Sequence, residues 1–181
     1  MITKKISLVI LTILLLLIGF LSYVATKESQ FNYQRSGLIK APASKIYPYL
    51  VNFKLGHQWS PYEQKDPSMK KTFSGPEGQV GSIMEFEGNS EVGSGKLEIL
   101  KMVPDESVEI RLTMLKPFQA ENIVRYKLSP EANGTLFTWS MSGDGGFLGK
   151  LIATVIDCEK MVGGQFSEGI ANLKKLIESQ N

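Results

Sequence analysis

The sequence has 181 residues, 43% of them hydrophobic, which is enough for one domain with a substantial core and too little for two ordinary domains. Its 20 Lys+Arg stand against 18 Asp+Glu, and two of the basic residues, Lys4 and Lys5, precede the first apolar run, so the rest of the chain is close to neutral. A nucleic-acid binder normally carries a basic face or stripe, and the absence of such a cluster argues against that class.

An uncharged apolar run, Ile6 to Thr26, comes first along the chain. As a helix rising about 1.5 Å per residue, it would cross a hydrocarbon core of about 30 Å. A cleaved signal peptide has a shorter apolar centre, about 7–15 residues, followed by a small-x-small site. Tyr23 in SYVA does not fit that site, so the sequence predicts an uncleaved transmembrane anchor over 6–26, with a cleaved signal as the alternative.

The charges on either side of this run predict its orientation. Lys4 and Lys5 precede it, whereas Lys27 is followed at once by Glu28. Because cytoplasmic flanks carry the excess of positive charge, we expect residues 1–5 in the cytoplasm. Residues 27–30 then form a short polar tether, and residues 31–181 form a domain on the extracytoplasmic side of the cytoplasmic membrane, held by a single pass.

Alternating apolar and polar residues predict strands through most of the domain. The segments are FNYQRSGLIKA, KKTFSGP, GSIMEFEG, GSGKLEILKMV, ESVEIRLTML, FQAENIVRYKLS and TLFTWSMSG. Only APASKIYPYLVNF interrupts them with a helical pattern, and Pro61 and Pro67 predict a loop over SPYEQKDP. The short connections indicate an antiparallel sheet with one buried face.

The longest helical pattern of the domain lies at the end of the chain, from Phe147 to Ser179, after Asp144 as a candidate cap. Gly163 and Gly164 interrupt good helix formers, which predicts a kink or a close approach to the sheet or to a ligand. Only this helix is long enough to cover the apolar face of the sheet. The sequence therefore predicts an α+β fold in which a curved antiparallel sheet grips one long C-terminal helix, with space between them.

Several motifs in this order resemble a known group. They are the strand end I-x-A-P-A at 39–43, WSPYE, KDPSMKKTFSGP, the VGS turn at 80–82, TWSMSG, and the terminal MVGGQFSEGIANLKKL. Together they resemble the polyketide cyclase/dehydrase group of the START-like, or SRPBCC, superfamily over about residues 32–179. The resemblance implies a helix-grip fold with a cavity for an apolar ligand. It is less specific for activity, because the superfamily includes cyclases, hydrolases and lipid carriers.

HQWSPYE, residues 57–63, gathers the only histidine with two aromatic residues and a carboxylate. A catalytic interpretation makes His57 a general base oriented by Glu63. However, there is no second histidine, and Ser60 has no G-x-S-x-G context. We therefore predict that Trp59 and Tyr62 form the rim of a binding cavity, with His57 beside them.

Other side chains complete the predicted ligand site. Asn122 points inward by alternation on its strand, where a buried amide needs a partner in backbone, water or ligand. The remaining members share the apolar faces of their strands: Met84, Phe86, Tyr126, Phe137, Trp139 and Met141. Such residues are first of all core, and we expect them also to form the wall of the cavity.

Metal and cofactor chemistry find little support in the sequence. Glu85, Glu87 and Glu98 suit a solvated sheet face better than a cation site. Without a histidine cluster, zinc or iron is not expected, and GNSEVGSGK fails the phosphate-loop pattern. The single cysteine, Cys158, excludes an internal disulfide, and its helical context favours a small core residue over a reactive thiol. No cofactor and no catalytic residue is predicted.

These features predict a membrane-tethered domain that binds a hydrophobic small molecule or lipid. An enzyme of cyclase or dehydrase type, acting on an aromatic or polyketide substrate through His57, Tyr62 or an inward carboxylate, is the first alternative. A non-catalytic interaction module of an envelope complex is the second. An enzyme should hold at least two titratable groups in the cavity, a carrier should have an apolar cavity with few polar groups, and an interaction module should have its cavity filled.

Overall fold

The computed structural model describes residues 2–180, with side chains from Lys5 onward. Met1 and Asn181, at the outer ends of the predicted segments 1–5 and 31–181, lie outside the described residues. The chain forms two compact units. One combines the chain up to Phe31 with Asp144–Asp157, and the other combines Asn32–Gly143 with the chain from Cys158 onward.

Five helices and seven strands make up the described residues. The helices are α1 (Ile2–Ala25), α2 (Ala43–Val51), α3 (Pro61–Lys65), α4 (Gly146–Val155) and α5 (Cys158–Glu178), with a 3-10 turn at Phe53–Gln58. The strands are β1 (Gln30–Ile39), β2 (Lys70–Ser74), β3 (Ile83–Glu87), β4 (Ser94–Val103), β5 (Ser107–Lys116), β6 (Ala120–Glu131) and β7 (Gly134–Asp144).

In the smaller unit, α1 is long and apolar enough to cross a membrane by length and composition. Its side chains are exposed along most of its length, for example Leu16 at 69%. The Lys150 ammonium of α4 donates to the Ala25 carbonyl at the end of α1, at 3.1 Å. An apolar N-terminal helix is thus present, as the sequence predicted.

In the larger unit, the strands form one antiparallel sheet in the order β1-β7-β6-β5-β4-β3-β2. Strands β2 to β7 therefore pair in chain order, and β1 returns to the far side of β7. This arrangement confirms the antiparallel sheet predicted from the short connections.

The core lies between one face of the sheet and α5. Four α5 residues at helical spacing are buried there: Phe166, Ile170, Leu173 and Ile177. They face the inward residues of the central strands, such as Ile110, Leu128 and Phe137. The prediction that the last helix covers the sheet is confirmed, and the fold is a helix-grip fold.

The prediction of a single helix over 147–179 was wrong, because two helices, α4 and α5, occupy this segment. The break falls at Ile156, whose backbone is extended (φ −118°, ψ 134°), and not at Gly163 and Gly164. Thr154, Val155 and Ile156 are consecutive β-branched residues with low helix propensity. Asp157 then stands where α5 begins, and aspartate is a favoured residue at helix N-termini.

The loop predicted over SPYEQKDP was also wrong in part, because Pro61–Lys65 forms the short helix α3. Proline is well tolerated in the first helical turn, where its missing N–H needs no partner, so Pro61 begins this helix instead of preventing it. The helix turns Tyr62 and Glu63 toward the interior.

Glycines mark the closest approaches of α5. At Gly163 a Cβ would collide with the Arg35 guanidinium of β1, and at Gly169 it would come within 2.5 Å of the Trp139 ring of β7. Gly164 has open space around it. The predicted close approach of helix to sheet thus occurs at Gly163 and Gly169, which lets the helix lie directly over the strand that carries Trp139.

Candidate functional site

A cavity of about 420 Å³ lies in the larger unit, between the sheet, α5 and the segment that includes α2 and α3. Strands β3 to β7 contribute one wall, and α5 contributes Met161, Val162 and Phe166. Volumes of 300–1,000 Å³ are typical of sites for small organic ligands. The cavity is therefore large enough for one such molecule.

The strand register places the sheet wall in two rows of side chains. One row crosses four strands, through Met84, Leu97, Leu112 and Asn122. The next row, toward the outer edge of the cavity, pairs Phe86 with Gly95 and Gly95 with Met114. A Cβ at Gly95 would collide with the Thr113 carbonyl oxygen and come within 2.9 Å of the Phe86 ring. Glycine at this position therefore leaves room for that ring on the sheet surface.

Aromatic rings close one end of the cavity, which we call the aromatic end: Trp59, Tyr62, Tyr126, Trp139 and Phe166. Trp139 is at their centre. It stacks on Phe166 with ring centroids 4.5 Å apart and meets the edges of Trp59 and Tyr126 at 5.4 Å. Offset or edge-to-face pairs of this kind stabilise beyond their buried area. These contacts fix the shape of this end.

Hydrogen bonds hold Trp59 in that cluster. Its indole Nε1 donates to the Tyr49 carbonyl at 3.1 Å, and its own carbonyl accepts from the Asn172 amide of α5 at 3.3 Å. The same amide donates to the Gln64 side chain of α3 at 2.9 Å. The segment that sequence analysis assigned to a rim is thus fastened to α5, and Trp59 is only 3% exposed.

One buried ion pair lies beside the aromatic end. The carboxylate of Glu63, which lines the cavity, is bonded by the Lys71 ammonium of β2. The Glu63 side chain is 6% exposed and that of Lys71 is 23% exposed. A methyl group at Gly56 would collide with this carboxylate, so the backbone comes close to it on the other side. The pair places a carboxylate in the cavity wall with its charge compensated.

Burial raises the pKa of the two tyrosine hydroxyls at this end. It raises the pKa of Tyr62 to about 12. The pKa of Tyr126 is also raised, first by burial and then by the negative charges of Tyr62 and Glu63. These three groups are therefore close enough to affect one another, and both phenols remain protonated at neutral pH.

Methionines dominate the opposite end, which we call the methionine end. Five of them line the cavity: Met69, Met84, Met114, Met141 and Met161. Their exposure varies, since Met161 is 55% exposed, Met114 and Met141 are half-buried, and Met69 and Met84 are buried. Methionine is unbranched and polarizable, so it adapts to different apolar shapes. The methionine end therefore offers an adaptable apolar surface to a molecule in the cavity.

Eight of the ten residues predicted for the ligand site line this cavity. They are Trp59, Tyr62, Met84, Phe86, Asn122, Tyr126, Trp139 and Met141. The structure does not bring His57 or Phe137 to the lining. His57 is exposed, with its Nδ1 2.9 Å from the Lys54 carbonyl, and Phe137 is fully buried in the core. Ligand contact by any of the ten stays a prediction.

Sequence reasoning missed the place of Glu63 and of three methionines, Met69, Met114 and Met161. Glu63 was weighed only as a partner of His57, because nothing in the sequence links it to Lys71. For Met114 a signal existed, since it alternates with Leu112 on one strand face. Met69 lies in a loop and Met161 in the first turn of α5. The alternation of strand side chains therefore gives no information about either residue.

Metal ligands are not grouped among the described residues: none of their His, Cys, Asp and Glu side chains form a cluster of three. Glu98 bonds Arg111 at 3.4 Å and Lys96 at 3.3 Å. These contacts fit the solvated sheet face expected for it.

A helix-grip sheet with an internal cavity against its terminal helix defines a class of small-molecule-binding folds. Residues 30–178 match the family described as polyketide cyclase / dehydrase and lipid transport, and the chain belongs to this family. No curated protein sequence matches the chain.

Solved structures share the fold at low sequence identity. A Staphylococcus aureus protein of unknown function is similar with a TM-score of 0.64 and 12% identity, over 85% of this chain and 97% of that one. A Mesorhizobium loti protein gives 0.62 and 16%, over 83% and 99%. The Aha1 dimer from Colwellia psychrerythraea gives 0.58 and 20%, over 82% and 96%. At these identities, the likeness concerns the fold alone.

Proposed function

We propose that this domain binds a hydrophobic small molecule or lipid in the cavity and carries it without chemical change. The observation that carries the proposal is the cavity itself, about 420 Å³ and lined mostly by aromatic rings, methionines and aliphatic side chains. An apolar surface kept open inside a core costs free energy, because packing contacts are lost and nothing replaces them. A ligand that fills it recovers those contacts. An interaction module would have no need of this open volume.

We also propose that α1 anchors the domain in the cytoplasmic membrane, with residues 1–5 in the cytoplasm, 27–30 as a tether and the domain outside. Support comes from the 21-residue helix Lys5–Ala25, which contains an 18-residue stretch with a mean hydropathy of 2.8. Tethering raises the effective concentration of a membrane-borne ligand at the cavity without any new contact. The alternative, a cleaved signal sequence, predicts that the mature protein starts after α1.

Native mass spectrometry tests the binding proposal. The chain shortened to start at Gln30, where the family match begins, is purified and its extract is analysed for bound molecules. We expect a stoichiometric apolar ligand, with lower occupancy in Trp59→Ala. A protein that arrives empty and takes up no apolar dye would contradict the proposal and favour the interaction module.

The enzyme alternative has one observation in its favour: Glu63, Tyr62 and Tyr126 put three titratable groups at one end of the cavity. Such a group can move protons between a bound substrate and its surroundings, as a dehydration or an aldol-type cyclisation requires. The masses of ligand recovered from the natural chain and from Glu63→Gln distinguish the two functions. A difference of one water indicates a dehydration that depends on Glu63, equal masses with different fragmentation indicate a cyclisation, and ligands identical in mass and in fragmentation support a carrier.

A further inference from the structure

Two hydroxyl groups at the aromatic end have no hydrogen-bond partner among the described residues. Tyr62 and Tyr126 both line the cavity, and neither hydroxyl bonds any other described residue. The indole Nε1 of Trp139 also has no hydrogen-bond partner, but it is sealed inside the protein. Polar groups in a protein interior are almost always hydrogen-bonded, so the two open hydroxyls call for a partner that enters the cavity.

The two phenol rings pack against the same side chain at the aromatic end. Both rings meet the edge of the same indole, Trp139, at 6.4 Å for Tyr62 and 5.4 Å for Tyr126. The charge of Tyr62 also acts on Tyr126. Since a carbonyl oxygen has two lone pairs, it can accept one hydrogen bond from each hydroxyl.

The charges around this end exclude an anionic partner. The nearest cation, Lys71, is already paired with Glu63, and no Lys or Arg is part of the cavity lining among the described residues. A carboxylate ligand would therefore be desolvated without a counter-ion and would lie near the charge of Glu63, which is unfavourable.

We propose that the cavity selects an uncharged apolar molecule with a carbonyl oxygen, such as a ketone, quinone or ester, which Tyr62 and Tyr126 bind by hydrogen bonds at the aromatic end. The apolar remainder extends toward the methionine end. This proposal rests on the binding function proposed above and adds the chemical class and the orientation of the ligand.

A matched pair of probes tests it. Benzophenone and diphenylmethane have nearly the same shape and differ by a carbonyl in place of a methylene, and diphenylacetate supplies the anion. Each probe displaces the apolar dye N-phenylnaphthylamine from the full chain in lipid nanodiscs. Energy transfer to the dye reports on the cavity, since the only two tryptophans, Trp59 and Trp139, both line it.

We expect benzophenone to displace the dye at a free concentration about tenfold lower than diphenylmethane, as two neutral hydrogen bonds allow. The double variant Tyr62→Phe, Tyr126→Phe should lose most of this preference and bind diphenylmethane as before. Tyr47→Phe is the control, because this buried tyrosine is not part of the lining and its hydroxyl is also unpaired. It should keep the full preference.

The possible failures differ from one another. Equal displacement by the ketone and the hydrocarbon, a preference that survives in the double variant, or tightest binding of diphenylacetate would each overturn the carbonyl proposal and leave apolar binding in place. No displaceable dye signal with any probe would overturn apolar binding, and the carbonyl proposal with it.

Helix α4 carries a second inference, from an independent observation in the smaller unit. This short helix, GFLGKLIATV, has no buried residue. The exposed fractions are 50% for Phe147, 45% for Leu148 and 73% for Val155. Its one charged residue, Lys150, bonds the carbonyl at the end of α1. An apolar helix left uncovered beside an apolar span needs an apolar surrounding.

We infer that α4 lies in the outer interface of the bilayer, with its exposed apolar side chains against the lipid. This inference rests on the proposed anchor. If α1 crosses the membrane, Ala25 lies at the outer end of the span, and the Lys150 bond holds α4 at that depth. A lysine among apolar residues is suited to this level, since its stem remains in the apolar layer while the ammonium reaches the polar one.

Site-directed labelling measures both depths. In a Cys158→Ser background, Val155→Cys reports on α4 and Leu16→Cys reports on α1. Each carries an environment-sensitive dye, in vesicles with a quencher either near the headgroups or deep in the acyl chains. We expect the headgroup quencher to act most on position 155 and the deep quencher most on position 16.

Quenching at 16 with none at 155 would overturn the α4 inference while the anchor stands. Absence of quenching at both positions would overturn the anchor, and the inference about α4 with it.

Discussion

The two ends of the cavity are built on opposite principles. At the aromatic end, rings lock one another in place, with Trp139 stacked on Phe166 and flanked by two further rings. At the methionine end, five unbranched side chains line the cavity, from the buried Met84 to Met161, which is 55% exposed. Rigid rings favour one orientation of a polar group, whereas methionines accept many apolar shapes. For the proposed ligand, we therefore expect the aromatic end to set selectivity and the methionine end to tolerate different apolar shapes.

The largest expected effect comes from removing the central ring. Trp139→Ala should lower the free energy of unfolding by about 3–5 kcal/mol, because a large buried side chain is lost from a cluster that cannot collapse easily. Met114→Ala, at a half-buried position of the other end, should cost only about 1 kcal/mol. Urea unfolding followed by circular dichroism measures both. Equal losses would mean that the two ends do not differ in rigidity.

A smaller change acts on the same ring from the helix side. Gly169→Ala places a methyl group 2.5 Å from the Trp139 ring, so we expect a loss of about 1–3 kcal/mol through overpacking. Gly164→Ala, on the same helix with open space around it, should instead raise the free energy of unfolding by up to about 1 kcal/mol. If both variants shift the urea midpoint in the same direction, the close contact at Trp139 is not what requires glycine.

Acid should destabilise the two loops that Asp66 joins before it affects the aromatic end. Asp66 accepts hydrogen bonds from the Ser68 hydroxyl at 2.6 Å and the Asn89 backbone at 2.7 Å, joining two loops next to Met69 and Val92 of the lining. These bonds lower its pKa below the ordinary value of 3.8. Because the folded pKa is the lower one, the stabilisation is present above pH 3.8 and is lost as the pH falls through the folded value.

The urea midpoints of the natural chain and of Asp66→Asn, followed from pH 7 downward, measure this effect. We expect the gap between the two proteins to be constant at neutral pH and to shrink below pH 3.8. If the difference between the two midpoints is independent of pH, the charge of Asp66 does not stabilise the contact between the two loops.

The smallest effect is spectroscopic and concerns the aromatic end in alkali. Because the folded pKa of Tyr62, about 12, lies above the ordinary 10.0, the stabilisation by its protonated form is complete below pH 10 and is lost as the pH rises toward 12. An absorbance titration of Tyr62→Phe should lack one phenolate step near pH 12 that the natural chain shows. Loss of a step near pH 10 would place this hydroxyl in solvent.

Much of this architecture could be predicted from the sequence, because alternation in a strand assigns each side chain to a face. Asn122, Val124 and Tyr126 all point inward as their spacing of two requires, and Trp139 and Met141 do the same on the neighbouring strand. The terminal helix showed the period of the α-helix, so its role as the cover of the sheet was also predictable.

The remainder depended on contacts between segments that no local pattern encodes. Glu63 of helix α3 is buried because Lys71 of strand β2, beyond the intervening loop, compensates its charge. Phe137 alternates on the same strand face as Trp139, yet it lies in the core and not at the cavity. The packing of α5 on the sheet determines where the cavity forms, and strand alternation does not encode that packing. His57 belongs to a conspicuous motif, but the 3-10 turn leaves it in solvent.

The sheet order has a consequence for how the protein is made. Strand β1 neighbours β7, and the Ser36 and Thr138 hydroxyls that meet at 2.8 Å are 102 residues apart in the chain. During synthesis the first strand must therefore wait for the last strand, and the helix that covers both emerges later still. Closing so long a loop carries an entropic cost and makes folding slow. The nascent domain thus exposes its apolar sheet face until α5 has been synthesised, so a chain that lacks α5 should be a target for chaperones or proteases.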